Sequence, residues 1–316
     1  MNAGTVTPGA VSKFVRWQLD NWQMAAANFR ALDDVEVKEI DVDGLTFKAQ
    51  FNPARAVSSG AKVDAASIKA RPCFLCEKNR PAEQGGIALG HYTLLINPFP
   101  LAPRHLVIAD NSHVRQEIDG RVADMVGLAN SLEGFTVFYN GPHCGASAPD
   151  HMHFQALPSE VMPLNSMITP ERLEELSTRH GARILASKDM PFNFFVIEGA
   201  FPPAFVTAFR ALLEQFGALP EDQWETPVNI LVTKVAPGLT RMVVIPRGAH
   251  RPSFYGTEGE ECMMLSPASV DMGGLFILPR RVDFDRIDEK IIRQTFKEVG
   301  LSDEKFSEIC RRISDR

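Results

Sequence analysis

Residues Asn140 to Gln155 read N-G-P-H-C-G-A-S-A-P-D-H-M-H-F-Q, a small-residue loop running directly into an alternating segment. Side chains of an extended strand alternate faces with a period of two. His151, His153 and Gln155 therefore project to one side and Met152, Phe154 and Ala156 to the other. The pattern predicts an apolar floor beneath a polar row. An isolated His-x-His is commonly no more than an edge strand with a solvated face. The loop in front argues for more. Glycines beside Ser147 let successive backbone N–H groups turn inward into an anion-binding concavity, and the hydroxyl adds a donor. An imidazole beside such a nest can attack phosphorus and carry the group as a phosphoramidate.

The remainder of the chain sets bounds on that chemistry. With 316 residues and 45% hydrophobic content, one large or two ordinary domains can bury a sizeable core. A formal charge of -6 gives no reason to expect a nucleic-acid partner, so an anionic substrate would have to be met by local donors. Residues 1–13 lack the basic start and apolar run of a signal peptide. The greasiest stretch, Phe192 to Leu213, is broken by Glu198, Pro202, Pro203 and Arg210 and makes a poor membrane span. Five cysteines, an odd number, argue against a disulfide framework, and a cytoplasmic location is expected.

Upstream, residues 11–32 have helical spacing, and 35–51 alternate around an Asp43-Gly44 turn, predicting a helix followed by a hairpin. Residues 51–62 are small and polar. They read either as a surface loop or as a phosphate-facing one, with Arg55 and Lys62 among Ser58, Ser59 and Gly60. Cys73 and Cys76 form a C-x-x-C without a thioredoxin-like strand and helix around it, which favours metal ligation over redox chemistry. Two more ligands would be needed, and His91, His105, His113, His143 and His151 are available.

Tyr92 to Ile108 contains two apolar runs joined by a Pro-rich turn; helical spacing at 117–133 and a strand at 135–139 follow. Residues 228–247 repeat the pattern of 92–108, with Leu94 and Ile230, and Leu106 and Met242, both 136 apart. That copy has no His-x-His-x-Gln, because residues 263–278 offer Ser, Asp and Gly but no imidazole. One active centre per chain is expected. Helical spacing at 204–216 and 287–299 supplies this half with its own helices, and Arg241, Arg247, His250 and Arg251 read as solvated charges or phosphate contacts.

The string Asn140, Gly-rich turn with Ser147, then His151-x-His153-x-Gln155 resembles the active-site segment of the histidine-triad superfamily. The similar branch contains the galactose-1-phosphate uridylyltransferases, diadenosine tetraphosphate phosphorylases and sugar-nucleotide phosphorylases. The resemblance covers residues 70–160 well and 190–285 loosely. Asp150 departs from the uridylyltransferases, which tend to have Pro there. The resemblance implies that His153 is the nucleophile that becomes nucleotidylated and that Gln155 donates to an α-phosphate oxygen. Gly145 and Ser147 would supply further donors, with Asn140 orienting the site and Asn97 standing where the uridylyltransferases contact substrate. Phe99 could wall the base, and Asn97 and Phe99 read equally as turn and core residues. It also implies a structural zinc held by Cys73, Cys76, His113 and His151. Gln155 stands where hydrolytic members have a third His, and a neutral amide is no general acid, so a transferase is favoured over a hydrolase.

These readings give an α+β fold of two related histidine-triad-like halves, with antiparallel sheets and helices packed on one face. The expected division is an N-terminal helix and hairpin extension (1–70), a catalytic half (71–188) and a degenerate half (189–316). The expected function is a nucleotidyltransferase or phosphorylase. It would act on a nucleoside diphosphate sugar or a dinucleoside polyphosphate, with phosphate or sugar phosphate as acceptor. A nucleotide hydrolase and a non-catalytic zinc or nucleotide binder are the alternatives. A homodimer is expected from the family, and neither nucleic acid nor membrane is an expected partner.

Overall fold

A computed structural model describes residues 6–55, 65–221, 223–259 and 262–315. Ser58, Ser59, Gly60 and Lys62, singled out above, lie outside them. Two sheets form the scaffold. The smaller contains β1 (Glu36–Val42), β2 (Leu45–Phe51) and β13 (Leu275–Leu278) in the order β1-β2-β13. Asp43 and Gly44, at φ of 57° and 74°, make the two-residue turn of the expected hairpin. β13 runs parallel to β2, so the N-terminal hairpin is extended by a strand from residues 275–278.

The larger sheet has ten strands. They are β3 (Ile87–Leu89), β4 (Tyr92–Ile96), β5 (Leu106–Asp110), β6 (Phe135–Asn140), β7 (His153–Pro158), β8 (Leu173–Arg179), β9 (Ala182–Ser187), β10 (Phe195–Gly199), β11 (Val228–Ala236) and β12 (Leu239–Pro246). Their order is β3-β4-β5-β7-β6-β11-β12-β10-β9-β8, a five-strand pattern followed by its mirror. In each group three strands lead through a helix into a hairpin whose first strand lies at the centre. The two central strands, β6 and β11, pair antiparallel from Asn140↔Asn229 to Thr136↔Thr233, and the Thr136 and Thr233 hydroxyls meet at 2.8 Å.

This order corrects the repeat expected from sequence. β11-β12 corresponds topologically to β6-β7, not to residues 92–108. Short apolar runs joined by a turn look alike at any position in a sheet, and only the pairing tells them apart. The counterpart of β7 is therefore β12, Leu239–Pro246, and it also carries no imidazole. Residues 275–278 belong to the small sheet instead. Strands β8 and β9, which precede the expected division at residue 189, pair into the second group.

The expectation of helices on one face is also corrected. One face of the large sheet carries α1 (Pro8–Asn21), α2 (Gln23–Arg30), α3 (Val122–Ser131) and α4 (Pro202–Leu213). Its core includes Met152, Phe154 and Ala156, the predicted apolar floor of β7. The opposite face is covered by the small sheet with α5 (Ser269–Met272), α6 (Arg281–Arg286) and α7 (Glu289–Val299). Phe296 on α7 packs on Phe47, Phe192 and Phe276 there. The last helix, α8 (Asp303–Ser314), returns to the first face through Phe306, Ile309 and Ile313. The amphipathic tail is thus divided between both layers. Among the described residues no helix is long and apolar enough to cross a membrane.

Candidate active site and metal centre

β7 presents His153 and Gln155 on the face opposite its apolar floor, as the alternation requires. His153 is buried, and its Nδ1 lies 2.8 Å from the His151 carbonyl oxygen. A carbonyl only accepts, so Nδ1 carries the proton and Nε2 keeps its lone pair. Burial holds the imidazolium down at about 4, against the opposing bond to the His151 carbonyl. The ring is neutral near pH 7. Its backbone is held by Gln116, whose Oε1 accepts from the His153 N–H at 2.8 Å.

Gln155 is oriented by a histidine whose role sequence reasoning did not assign. The backbone N–H of Leu101 donates to His105 Nδ1 at 3.2 Å, which leaves the proton on Nε2. That nitrogen lies 2.9 Å from Gln155 Oε1 and donates to it. Asn97 Nδ2 is 3.4 Å from the same oxygen. With its oxygen engaged twice, Gln155 presents its amide hydrogens as donors. Asn97 therefore joins the site through Gln155, and its own Oδ1 accepts from the Phe99 N–H at 3.0 Å. Arg55 donates to the Phe99 carbonyl at 2.7 Å, so it braces the same turn. Desolvation lowers Arg55 to about 10.

Asn140 ends β6 with both its side-chain bonds made through Oδ1, from Asn229 Nδ2 at 3.2 Å and the Ser269 N–H at 2.8 Å. Its amide end remains a donor. Asn229 is fixed by buried Arg247, which donates to Asn229 Oδ1 at 2.6 Å and to the carbonyls of Pro267, Ala249, His250 and Val299. Arg247 is a buried clamp; it is neither a solvated charge nor a phosphate contact. Gly145 sits at φ 95°, and a Cβ there would lie 2.6 Å from that of Ala268, so the loop packs on the second half only with glycine. Ser147 lies two residues on, its carbonyl accepting from Arg71 at 3.2 Å. Asp150, the departure noted above, pairs with Arg71 at 3.4 Å. Cys144 is buried, and burial pushes its thiol up to about 12.

The structure brings together all four expected ligands. Cys73, Cys76, His113 and His151 offer donor atoms that all lie within 4.8 Å of one another. His151 Nδ1 is 3.2 Å from Cys73 Sγ and 3.5 Å from Cys76 Sγ, and His113 Nδ1 is 3.3 Å from both Cys76 Sγ and His151 Nδ1. A tetrahedral ion with bonds of about 2.0–2.3 Å needs ligand atoms roughly 3.3–3.8 Å apart. His151 Nε2 is 2.8 Å from the Asp110 carbonyl oxygen, which sets the tautomer and leaves Nδ1 to the metal. Burial opposes ionisation of Cys73, but bonds from His151 and the backbone of Leu75 and Cys76 outweigh it and bring the thiol down to about 6. The cluster can coordinate a metal ion.

Fold and site together define a two-lobed α+β protein with a buried imidazole beside a Cys- and His-rich cluster able to coordinate a metal ion. The chain matches the family described as a domain of unknown function, DUF4922, over residues 14–158, and the GDPGP1-like C-terminal domain over residues 163–316. It is homologous to diadenosine 5',5'''-P1,P4-tetraphosphate phosphorylase 2 of Saccharomyces cerevisiae, at 30% identity over 124 residues. That match spans 34% of this chain and 38% of the relative. The crystal structure of yeast Ap4A phosphorylase Apa2 has the same fold, with a TM-score of 0.60 and 19% identity over 88% of this chain and 96% of the other. Its complex with Ap4A superposes with a TM-score of 0.57 and 17% identity, over 89% and 97% of the two chains.

Proposed function

We propose that this protein is a nucleotidyltransferase of the phosphorylase type, built from two histidine-triad-like halves and working through a nucleotidyl-histidine intermediate on His153. The observation that carries this reading is the His153 ring: neutral by burial, its Nδ1 proton given to a carbonyl, and its Nε2 lone pair free to attack. Nε2 attacks the α-phosphorus of a dinucleoside polyphosphate or nucleoside diphosphate sugar. The bond to the bridging oxygen breaks, and the leaving phosphate takes the electron pair. Inorganic phosphate or a sugar phosphate then attacks the same phosphorus and returns the electron pair to Nε2.

Donors fixed in advance meet the charge on the non-bridging oxygens. Gln155 is turned by His105 to offer N–H groups, and Asn140 at the end of β6, with Ser147 and the backbone amides near Gly145 in the loop that follows, would add further donors. We assign the metal as zinc, held by Cys73, Cys76, His113 and His151, where it would brace the start of β7 and leave the chemistry to His153. The similarity to the yeast tetraphosphate phosphorylase favours a dinucleoside polyphosphate over a sugar nucleotide.

The test uses nucleotide substrates labelled in the α-phosphate, first without and then with inorganic phosphate. Label is expected to stay on the protein without acceptor, to leave as nucleoside diphosphate when phosphate is added, and to be absent from His153→Ala. Turnover in water alone, with no dependence on an acceptor, would instead identify a hydrolase.

A further inference from the structure

The pairing of β6 with β7 stops earlier than either strand does. Their register runs from Phe135↔Pro158 to Phe138↔Gln155. Continued by two residues it would set Asn140 opposite His153. Both residues are still in strands, Asn140 paired with Asn229 on β11 and His153 with Ala109 on β5, but they no longer pair with each other. The sheet forks at the two residues that the proposed chemistry needs most.

The carboxamide of Gln116 fills the fork. Its Nε2 donates to the Asn140 carbonyl and to the His153 carbonyl, both at 3.0 Å, and its Oε1 accepts from the His153 N–H at 2.8 Å. It therefore replaces the missing ladder bonds with a side-chain peptide group. Gln116 is fully buried, and its main chain is held from two sides. Its N–H donates to Pro149 of the loop at 3.0 Å, and its carbonyl accepts from the Trp224 indole of the second half at 3.1 Å.

Directly opposed residues in an antiparallel pair bring their Cα atoms to about 4.5–5.5 Å. That leaves no room for a phosphate between an imidazole and an amide on the same face. A wedge that parts the strands while meeting the Asn140 carbonyl and both the N–H and the carbonyl of His153 opens that space and keeps those three groups bonded. We infer that Gln116 is a positioning residue that sets the separation of His153 and Asn140 and so lines the nucleophile up with the phosphorus. The inference rests on the function proposed above.

The experiment follows label transfer from an α-phosphate-labelled dinucleoside polyphosphate to the parent, to Gln116→Met and to Gln116→Glu. Binding of the matching nucleoside monophosphate and thermal midpoints are measured in parallel. Gln116→Met keeps the side chain's size and loses its bonds. It is expected to transfer label roughly ten- to hundredfold more slowly, with nucleotide affinity changed far less, because misplacement by about 1 Å costs rate more than binding. Gln116→Glu keeps the shape and sets an anionic oxygen against two carbonyls. Its rate relative to the parent is expected to recover from about pH 8 to about pH 6, as protonation of this buried carboxyl restores one donor. Should Gln116→Met not fold, that recovery decides the question alone. Parent-like transfer in a folded Gln116→Met, slowing matched by an equal loss of affinity, or a pH-independent ratio for Gln116→Glu would each overturn the inference. A parent that takes no label would overturn the proposed function first, and the positioning role with it.

Discussion

His105 shows how one buried ring can decide what another side chain offers to a ligand. Its Nδ1 is used by the Leu101 N–H, so Nε2 must donate, and Gln155 is left with its hydrogens outward. Protonation would not suit this pocket. Burial first, and then the charge of Arg55, depress His105 from 6.5 to about 3. The unfolded chain therefore binds a proton there that the native one does not. Stability from this group is complete above pH 6.5 and is lost as the pH falls toward 3. Glu225, which burial raises to about 7, contributes with the opposite sign, so the useful comparison is between variants. His105→Leu is expected to lose less of its thermal midpoint than the parent does between pH 7 and pH 5, and to slow nucleotide turnover about tenfold by freeing Gln155. Calorimetry at the two pH values checks the first; equal losses would show that the ring's depressed proton affinity does not matter to the fold.

At the scale of elements, the Cys73, Cys76, His113 and His151 cluster draws together three separate segments. Cys73 and Cys76 lie in a turn before β3, His113 follows β5 and His151 stands two residues before the start of β7. A bound ion would tie these loops to the strand bearing His153, which is why its loss should be felt in both stability and rate. Protein purified without chelator is expected to contain about one zinc per chain. Extended chelation, or Cys73→Ser, should lower the thermal midpoint and slow labelling of His153 together. Elemental analysis with a melting curve tests this, and an unchanged midpoint after the metal has demonstrably gone would rule out the structural role.

For the whole molecule, the decisive feature is the seam between β6 and β11. Every residue of β6 is buried, and Ile230 to Val232 of β11 are buried with it. Across the seam run the Thr136 to Thr233 contact and the chain from Arg247 through Asn229 to Asn140. A polypeptide ending near residue 160 would expose β6 as a long apolar edge, the kind of surface that aggregates. The two halves, 6–160 and 161–315, are therefore expected to be insoluble or unfolded when expressed apart and to recover native circular dichroism only when refolded together. A separately folded, monomeric first half would contradict this.

Local order determined much of this molecule in advance. Alternation from His153 to Ala156 fixed which side chains share a face, because a strand's period of two leaves no choice, whereas His151 lies in a bend before the strand. Asp43-Gly44 fixed a hairpin, and the helical spacing at 117–133 and 204–216 fixed two helices, since each signal is carried by neighbours in sequence. The metal quartet was legible by resemblance alone, and the folded chain brought its four donors together. Tertiary structure alone decided which strands lie side by side. A run such as 228–247 has the same composition wherever it pairs, so its correspondence to β6-β7 emerged only from the sheet order. The supports of the site, Gln116, His105, Asn229 and Arg247, were illegible for the same reason. Each acts through hydrogen bonds to residues distant in sequence, whose geometry exists only once the chain has folded.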